Sequence, residues 1–413
     1  MRIPCAILGF AAAALAAPVA AEGLAPLDWN RAGSPIQSLD REQEIALESR
    51  AIGESREITV RLPAGYVDTQ DRFPVFYVTD ADWNFRIVAD YIDYIDYLGY
   101  WGRIPQTIIV GIRNVDRNRD FVPRSSANFP NSGEADAFRD FLTDELKPMI
   151  DSRYRTSGFD TLFGHSFGGV ITTYVMMTRP DAFESYIALS TSTWVSGRFL
   201  FEEAERFFAA PEYPELFYYM AVAEADGGTT VPDGNAFAEM FEARAPDSIE
   251  WHYSVVPRTN HFSVVMPAFA DAVERLYPAW EFDTALQERI EAEGATAIDS
   301  WFAEREAELG PRFYPQAMEL GLLGIRLAAG GDADAARTLF ARVHNEHPDN
   351  AETAFMNALA ENALGDRAAA IHWAEEAYRV GRETGDVMPH RLATYRNIGA
   401  GWTQAAEQEA ETE

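Results

Sequence analysis

Short, continuous apolar runs separated by segments of helical period leave a chain few ways to fold, and this sequence is organised that way. Phe73 to Val78 (FPVFYV) and Thr107 to Ile112 (TIIVGI) lack polar alternation, as strands covered on both faces do. Ser185 to Ser190, Phe217 to Ala223 and Trp251 to Val256 read as further strands, Asp160 to Phe163 as a short one, and Glu57 to Leu62 alternates like a half-buried strand. Between them, Phe138, Phe141, Leu142, Leu146 and Ile150 follow helical spacing, Val170 to Met177 continues as a helix that stops before Pro180, and Val264 to Leu276 is amphipathic. The aromatics of residues 91 to 101 (YIDYIDYLGYW) recur every three positions, as a core-facing helix stripe or a ligand-facing wall. Strands alternating with helices predict an α/β fold, a doubly wound and mostly parallel sheet, with function gathered at the carboxyl ends of its strands.

The 413 residues suggest two domains. Residues 1–21 read as a cleaved signal peptide: Arg2, an apolar stretch from Ile3 to Ala17, and the small residues Val19-Ala20-Ala21. This predicts a periplasmic or secreted protein with no membrane insertion after cleavage. Cys5 lies inside the signal, so the mature chain has no thiol for disulfides or metal. A formal net charge of −31 disfavours nucleic acid and anionic membranes. No metal-ligand spacing stands out, and no cofactor is expected.

Residues 22–282 hold the predicted sheet, and 283–309 read as an acidic helical linker. Within 310–384, Gly331-Asp332 and Gly365-Asp366 recur 34 residues apart, as do Ala335-Ala336 and Ala369-Ala370. With Leu320, Leu323, Gly324, Leu327, Phe340 and Pro348, the first unit resembles a tetratricopeptide helix pair, a small all-α region. The second departs from it, with Asn357 and Glu361 where apolar residues are expected. Two units are few for a free solenoid, which favours packing against the first domain, a homodimer or another protein contact over a peptide groove. Residues 385–413 read as an acidic tail whose last residues, AAEQEAETE, fray.

The stretch TLFGHSFGGV (161–170) places Ser166 within G-x-S-x-G where an apolar run gives way to a helix, the turn that exposes a nucleophilic serine. A serine hydroxyl needs a base, and histidine suits the task. His344, His347, His372 and His390 fall in the helical part beyond residue 310, His252 sits in a strand, and His165 lies inside the motif with its ring expected to turn away from the serine. His261, on the loop after the last strand, remains. A carboxylate should orient it from a loop between the two, and FYYMAVAEADGG offers Asp226, favoured by the glycines behind it, or Glu224. One oxyanion donor is the backbone N–H of Phe167, and the other should come from the loop TDADWNF. In IRNVDRNRDFVPR, Arg113, Arg117, Arg119 and Arg124 could bind an anionic substrate, Arg117 and Arg119 foremost, or pin the loop through Asp116 and Asp120.

PVFYVTDADW, VGIRNVDRNRDFVP, FRDFLTDELKPMIDSRYRT, FGHSFGGV, STSTWVSG and TNHFSVV, in this order and spacing, resemble the branch of the α/β-hydrolases called the putative-esterase family. It includes enterobactin-type siderophore esterases, esterase D-like enzymes, feruloyl esterases and mycolyl transferases. The resemblance is strongest to siderophore-esterase-like members, several with a tetratricopeptide-like tail. It implies Ser166 as nucleophile, His261 as base, Asp226 as acid and the backbone N–H of Asp82 as second oxyanion donor, acting on a small-molecule ester through an acyl-enzyme. Ala81 replaces the family's glycine, so a positive φ there would be strained. Acyl transfer on the same scaffold, and a non-catalytic interaction protein using its helical repeats, are the alternative readings.

Overall fold

The computed structural model describes residues 41–63, 66, 71–97, 104–210, 212–278, 282–310, 317–384, 387 and 389–412. The expected signal peptide and the end of the 91–101 aromatic stretch lie outside these. From Arg41 onward the chain is one compact unit. Eight strands form its sheet: β1 (Glu42–Glu48), β2 (Ser55–Arg61), β3 (Phe73–Val78), β4 (Ile108–Ile112), β5 (Thr156–His165), β6 (Ser185–Leu189), β7 (Leu216–Ala223) and β8 (Ile249–Val256), in the order β1-β2-β4-β3-β5-β6-β7-β8. β1 and β2, and β2 and β4, pair antiparallel, and all other neighbours are parallel.

The apolar runs bury both faces because successive side chains alternate. From β3, Phe73, Val75 and Tyr77 enter one core, Phe76 and Val78 the other. The first core is closed by α3 (Ala135–Asp140), α4 (Lys147–Arg153), α5 (Phe167–Thr178), α6 (Val195–Phe207) and α7 (Thr230–Arg244), the second by α1 (Ala81–Tyr97) and α8 (Val265–Leu276). A short α2 (Arg117–Phe121) follows β4. Between α3 and α4 the helix widens into a π turn over Phe141–Leu146. Pro148, lacking an N–H, follows two residues after it, in the first turn of α4.

The chain continues in helices α9 (Phe282–Glu293), α10 (Ala297–Leu309), α11 (Ala317–Ala329), α12 (Ala333–Glu346), α13 (Ala351–Ala363), α14 (Arg367–Thr384) and α15 (Pro389–Thr412). Leu286, Ile290, Ile298, Phe302, Leu320, Leu323, Leu339 and Phe340 belong to the same buried cluster as α1 and α8, so this region packs against the sheet domain. Gly331 (φ 87°) and Gly365 (φ 85°) take left-handed turns, and the following Asp332 and Asp366 each accept an N–H three residues on, starting α12 and α14. Glu361 is buried against Arg337 (2.6 Å) rather than solvated. Within the residues expected as an acidic tail, Pro389–Thr412 form α15, where Tyr395, 1% exposed, packs on Phe355 at 4.7 Å and anchors the helix. Among the described residues no helix is long and apolar enough to cross a membrane.

Candidate active site

Ser166 leaves β5 with φ 62° and ψ −116°, a conformation costing a serine roughly 1–3 kcal/mol that its surroundings must enforce. Its N–H donates to the Leu189 carbonyl (2.9 Å), and its own carbonyl accepts from Val170 (3.1 Å) and Ser192 (3.3 Å). The glycines around it leave no room for side chains. A Cβ on Gly164 would lie 2.0 Å from the Gly168 carbonyl oxygen, one on Gly168 2.6 Å from Thr79 Oγ1, and one on Gly169 2.6 Å from Thr191 Oγ1.

The turn presents Ser166 Oγ 3.0 Å from His261 Nε2, and His261 Nδ1 stands 2.9 Å from Asp226 Oδ1. With Nδ1–H donating to the carboxylate, Nε2 is left to accept the serine proton. Asp226 is 2% exposed along its side chain, His261 28%. Burial works to raise the Asp226 pKa, but hydrogen bonds from His261, Ser190 and the Gly227 N–H outweigh it and hold the carboxyl below its ordinary value. The two loops are laced together. Ala225 N–H donates to the Thr259 carbonyl (3.0 Å), and Glu224, the other sequence candidate, accepts from Arg258 N–H at 2.7 Å. Glu224 thus braces the histidine loop, where Arg258 has φ 60°, while Asp226 meets the imidazole.

Phe167 opens α5, so its N–H is one of the first-turn donors without an intrahelical acceptor. Asp82 lies in the first turn of α1, and its carboxylate accepts the Asn114 N–H (3.0 Å). The strain expected at Ala81 falls elsewhere: Asp80 takes the positive φ, 53°. Aspartate tolerates that region better than alanine. Asp80 is held by Arg117 Nε (2.7 Å) and Nη2 (2.9 Å) and by Asn114 Nδ2 (2.6 Å).

The two arginines expected to bind substrate both have carboxylate partners within the chain. Arg117 is committed to Asp80, with its guanidinium 5.0 Å above the Phe167 ring. Arg119 pairs with Glu54 (2.6 Å) and Asp120 (2.8 Å), which raise its pKa. The arginines thus tie the loop through Asp120, and also through Asp80 and Glu54. A cleft of about 590 Å³ opens beside Ser166, lined by Ser192 and Trp194 after β6 and by Gly227 to Thr230 after β7. Trp194 joins an aromatic cluster with Phe129 (5.9 Å) and Phe167 (6.3 Å).

Three residues at the site were not singled out by sequence reasoning: Trp194, Ser190 and, as a partner of His261, His165. Ser190 and Trp194 lie just beyond β6, the neighbour of β5, within the stretch STSTWVSG that carried the family resemblance without a role for either residue.

Residues 49–237 match the family model Esterase, described as "Putative esterase". The chain is 30% identical over 163 residues to the ferri-bacillibactin esterase BesA of Bacillus subtilis (strain 168), covering 35% of this chain and 54% of that protein. It is 32% identical over 93 residues to the siderophore triacetylfusarinine C esterase of Aspergillus fumigatus, covering 22% and 32%. The chain thus spans about half or less of the length of these relatives. Among solved structures, an IroE-like serine hydrolase from Shewanella oneidensis superimposes with a TM-score of 0.65 at 25% identity, over 74% of this chain and 99% of that one. The mixed sheet and these neighbours identify an α/β-hydrolase-like fold with an added helical region.

Proposed function

We propose that this protein is a serine hydrolase of carboxylic esters. The observation that carries the reading is the unbroken relay from Asp226 through His261 to Ser166, at 2.9 and 3.0 Å, on three loops at the carboxyl end of the sheet. In this reading His261 takes the Ser166 proton as Oγ attacks the ester carbonyl, and Asp226 stabilises the imidazolium. The N–H groups of Phe167 and Asp82 receive the oxyanion; the turning of the Asp82 carboxylate to Asn114 supports its part, since a negative charge facing the oxyanion would oppose catalysis. His261 then protonates the leaving alcohol, and a water deprotonated by His261 cleaves the acyl-enzyme.

The names of the relatives favour a siderophore-type ester as substrate. The helical region supplies a tetratricopeptide-like pair of units, supported by the recurring Gly-Asp turns. The leader sequence supports a periplasmic or secreted location. The decisive experiment is turnover of a short p-nitrophenyl ester, then of a trilactone siderophore, by wild type and Ser166→Ala. Loss of at least about a thousandfold in kcat is expected; equal rates would reject the reading in favour of a non-catalytic protein.

A further inference from the structure

His165 precedes the nucleophile, is 3% exposed, and does no chemistry in the relay described above. Its Nε2 lies 2.6 Å from the backbone carbonyl oxygen of His261, 96 residues away in sequence. A carbonyl only accepts, so this nitrogen carries the proton and the tautomer is set. The contact closes a ring. Ser166 is bonded to His165, His165 holds the His261 backbone, and the His261 ring returns to Ser166 Oγ at 3.0 Å.

We propose that His165 is a positioning residue for the candidate base: its Nε2–H anchors the histidine loop to β5 and sets where the His261 imidazole stands. Among the described residues, the loop's other backbone hydrogen bonds act within the loop or toward the loop after β7. Asn260 Oδ1 accepts from Phe262 and Ser263, and Thr259 accepts from Ala225. None of these fixes the loop against the strand that carries the serine.

Charge supports the same role. The two imidazole rings lie 4.8 Å apart, centroid to centroid, so a positive His165 would oppose formation of the His261 imidazolium. Burial above all, then the neighbouring His261 and Arg117, push the His165 pKa down to about 4, against the raising effects of its hydrogen bond to His261 and the Asp226 charge. Arg117 also donates to the His165 carbonyl at 3.3 Å, and the Phe262 ring lies 6.4 Å away. The residue is therefore a neutral donor at neutral pH.

The inference rests on the serine-hydrolase reading, and the test separates the two. Glutamine can place an amide N–H near the Nε2 position; asparagine is too short to, and phenylalanine keeps the ring without a donor. Wild type, His165→Gln, His165→Asn, His165→Phe and Ser166→Ala are compared on a p-nitrophenyl ester from pH 5 to 9, with thermal midpoints and the downfield proton resonance of His261 Nδ1–H. A displaced base should lower kcat by about tenfold or more with KM little changed. That loss, with a weakened downfield resonance, is expected in the Asn and Phe variants, and near-wild-type values in Gln. Equal kcat in the Gln and Asn variants overturns the proposal, as does an unchanged Nδ1–H resonance in Asn, whether or not the Phe variant folds. If wild type and Ser166→Ala turn over ester equally, the hydrolase reading fails, and the resonance alone decides the role of His165.

Discussion

Asp226 and Glu224 stand two residues apart on one loop, and only their hydrogen bonds tell them apart. The first meets His261 Nδ1 at 2.9 Å, the second the backbone of Arg258 at 2.7 Å. Replacing Asp226 with asparagine keeps the shape but lets the imidazole adopt the wrong tautomer, so kcat should fall by about 10³- to 10⁴-fold. Glu224→Gln retains an acceptor for the Arg258 N–H and should stay within about threefold of wild type. Steady-state rates on one ester decide it, and a larger loss from Glu224→Gln would exchange the roles. Sequence order left both residues open because the choice depends on how the loop after β7 curls, which Gly227 and Gly228 permit but do not dictate. The arginines are ambiguous in sequence for a related reason. A cluster of guanidinium groups reads the same whether its carboxylates come from a ligand or from distant positions such as Asp80 and Glu54, and the partners lie 37 and 65 residues away.

At the level of elements, the glycines of the serine turn show how much a short sequence can convey. Their crowding pointed to a close backbone approach, and each faces a different obstacle. A methyl group on Gly164 would meet a backbone carbonyl at 2.0 Å, which only main-chain movement can relieve. On Gly168 it would meet the Thr79 hydroxyl at 2.6 Å, the end of a side chain. Gly164→Ala should therefore destabilise the fold by about 3 kcal/mol or more, Gly168→Ala by about 1–2 kcal/mol, on the scale of overpacked cores. Urea midpoints measure the difference, and the reverse order would show that the turn yields more easily than the hydroxyl. The continuous apolar runs were legible because strands buried on both faces need little context. β1 was not: Glu42 to Glu48 carries three glutamates on an edge strand, and its place comes from pairing with β2 rather than from its own side chains. α15 was missed similarly, since an acidic, alanine-rich stretch resembles a tail until Tyr395 finds Phe355.

For the whole molecule, the question is how the helical region bears on a site it does not line. Asp71, 1% exposed, precedes β3 and so lies at the amino end of the sheet, whereas Ser166, Asp226 and His261 follow carboxyl ends. Its Oδ2 accepts the N–H of Ala317 at the start of α11 (3.2 Å), and its Oδ1 stands 3.3 Å from His347 Nδ1 at the end of α12. One buried carboxylate thus receives the first helix pair, while β3, six residues and roughly 20 Å long, separates it from the loop at Asp80. Such an arrangement couples the helices to stability rather than to chemistry. Asp71→Ala leaves a buried N–H without its acceptor and should cost about 1–3 kcal/mol. Asp71→Asn keeps an oxygen for Ala317 and should cost less. In both variants kcat on a small ester should stay within about twofold, while amide exchange in residues 317–346 accelerates more than in β5 and β7. A fall in kcat matching the loss of stability would instead mean that the sheet transmits the clasp to its far end, and the helices would then belong to the working part of the proposed hydrolase.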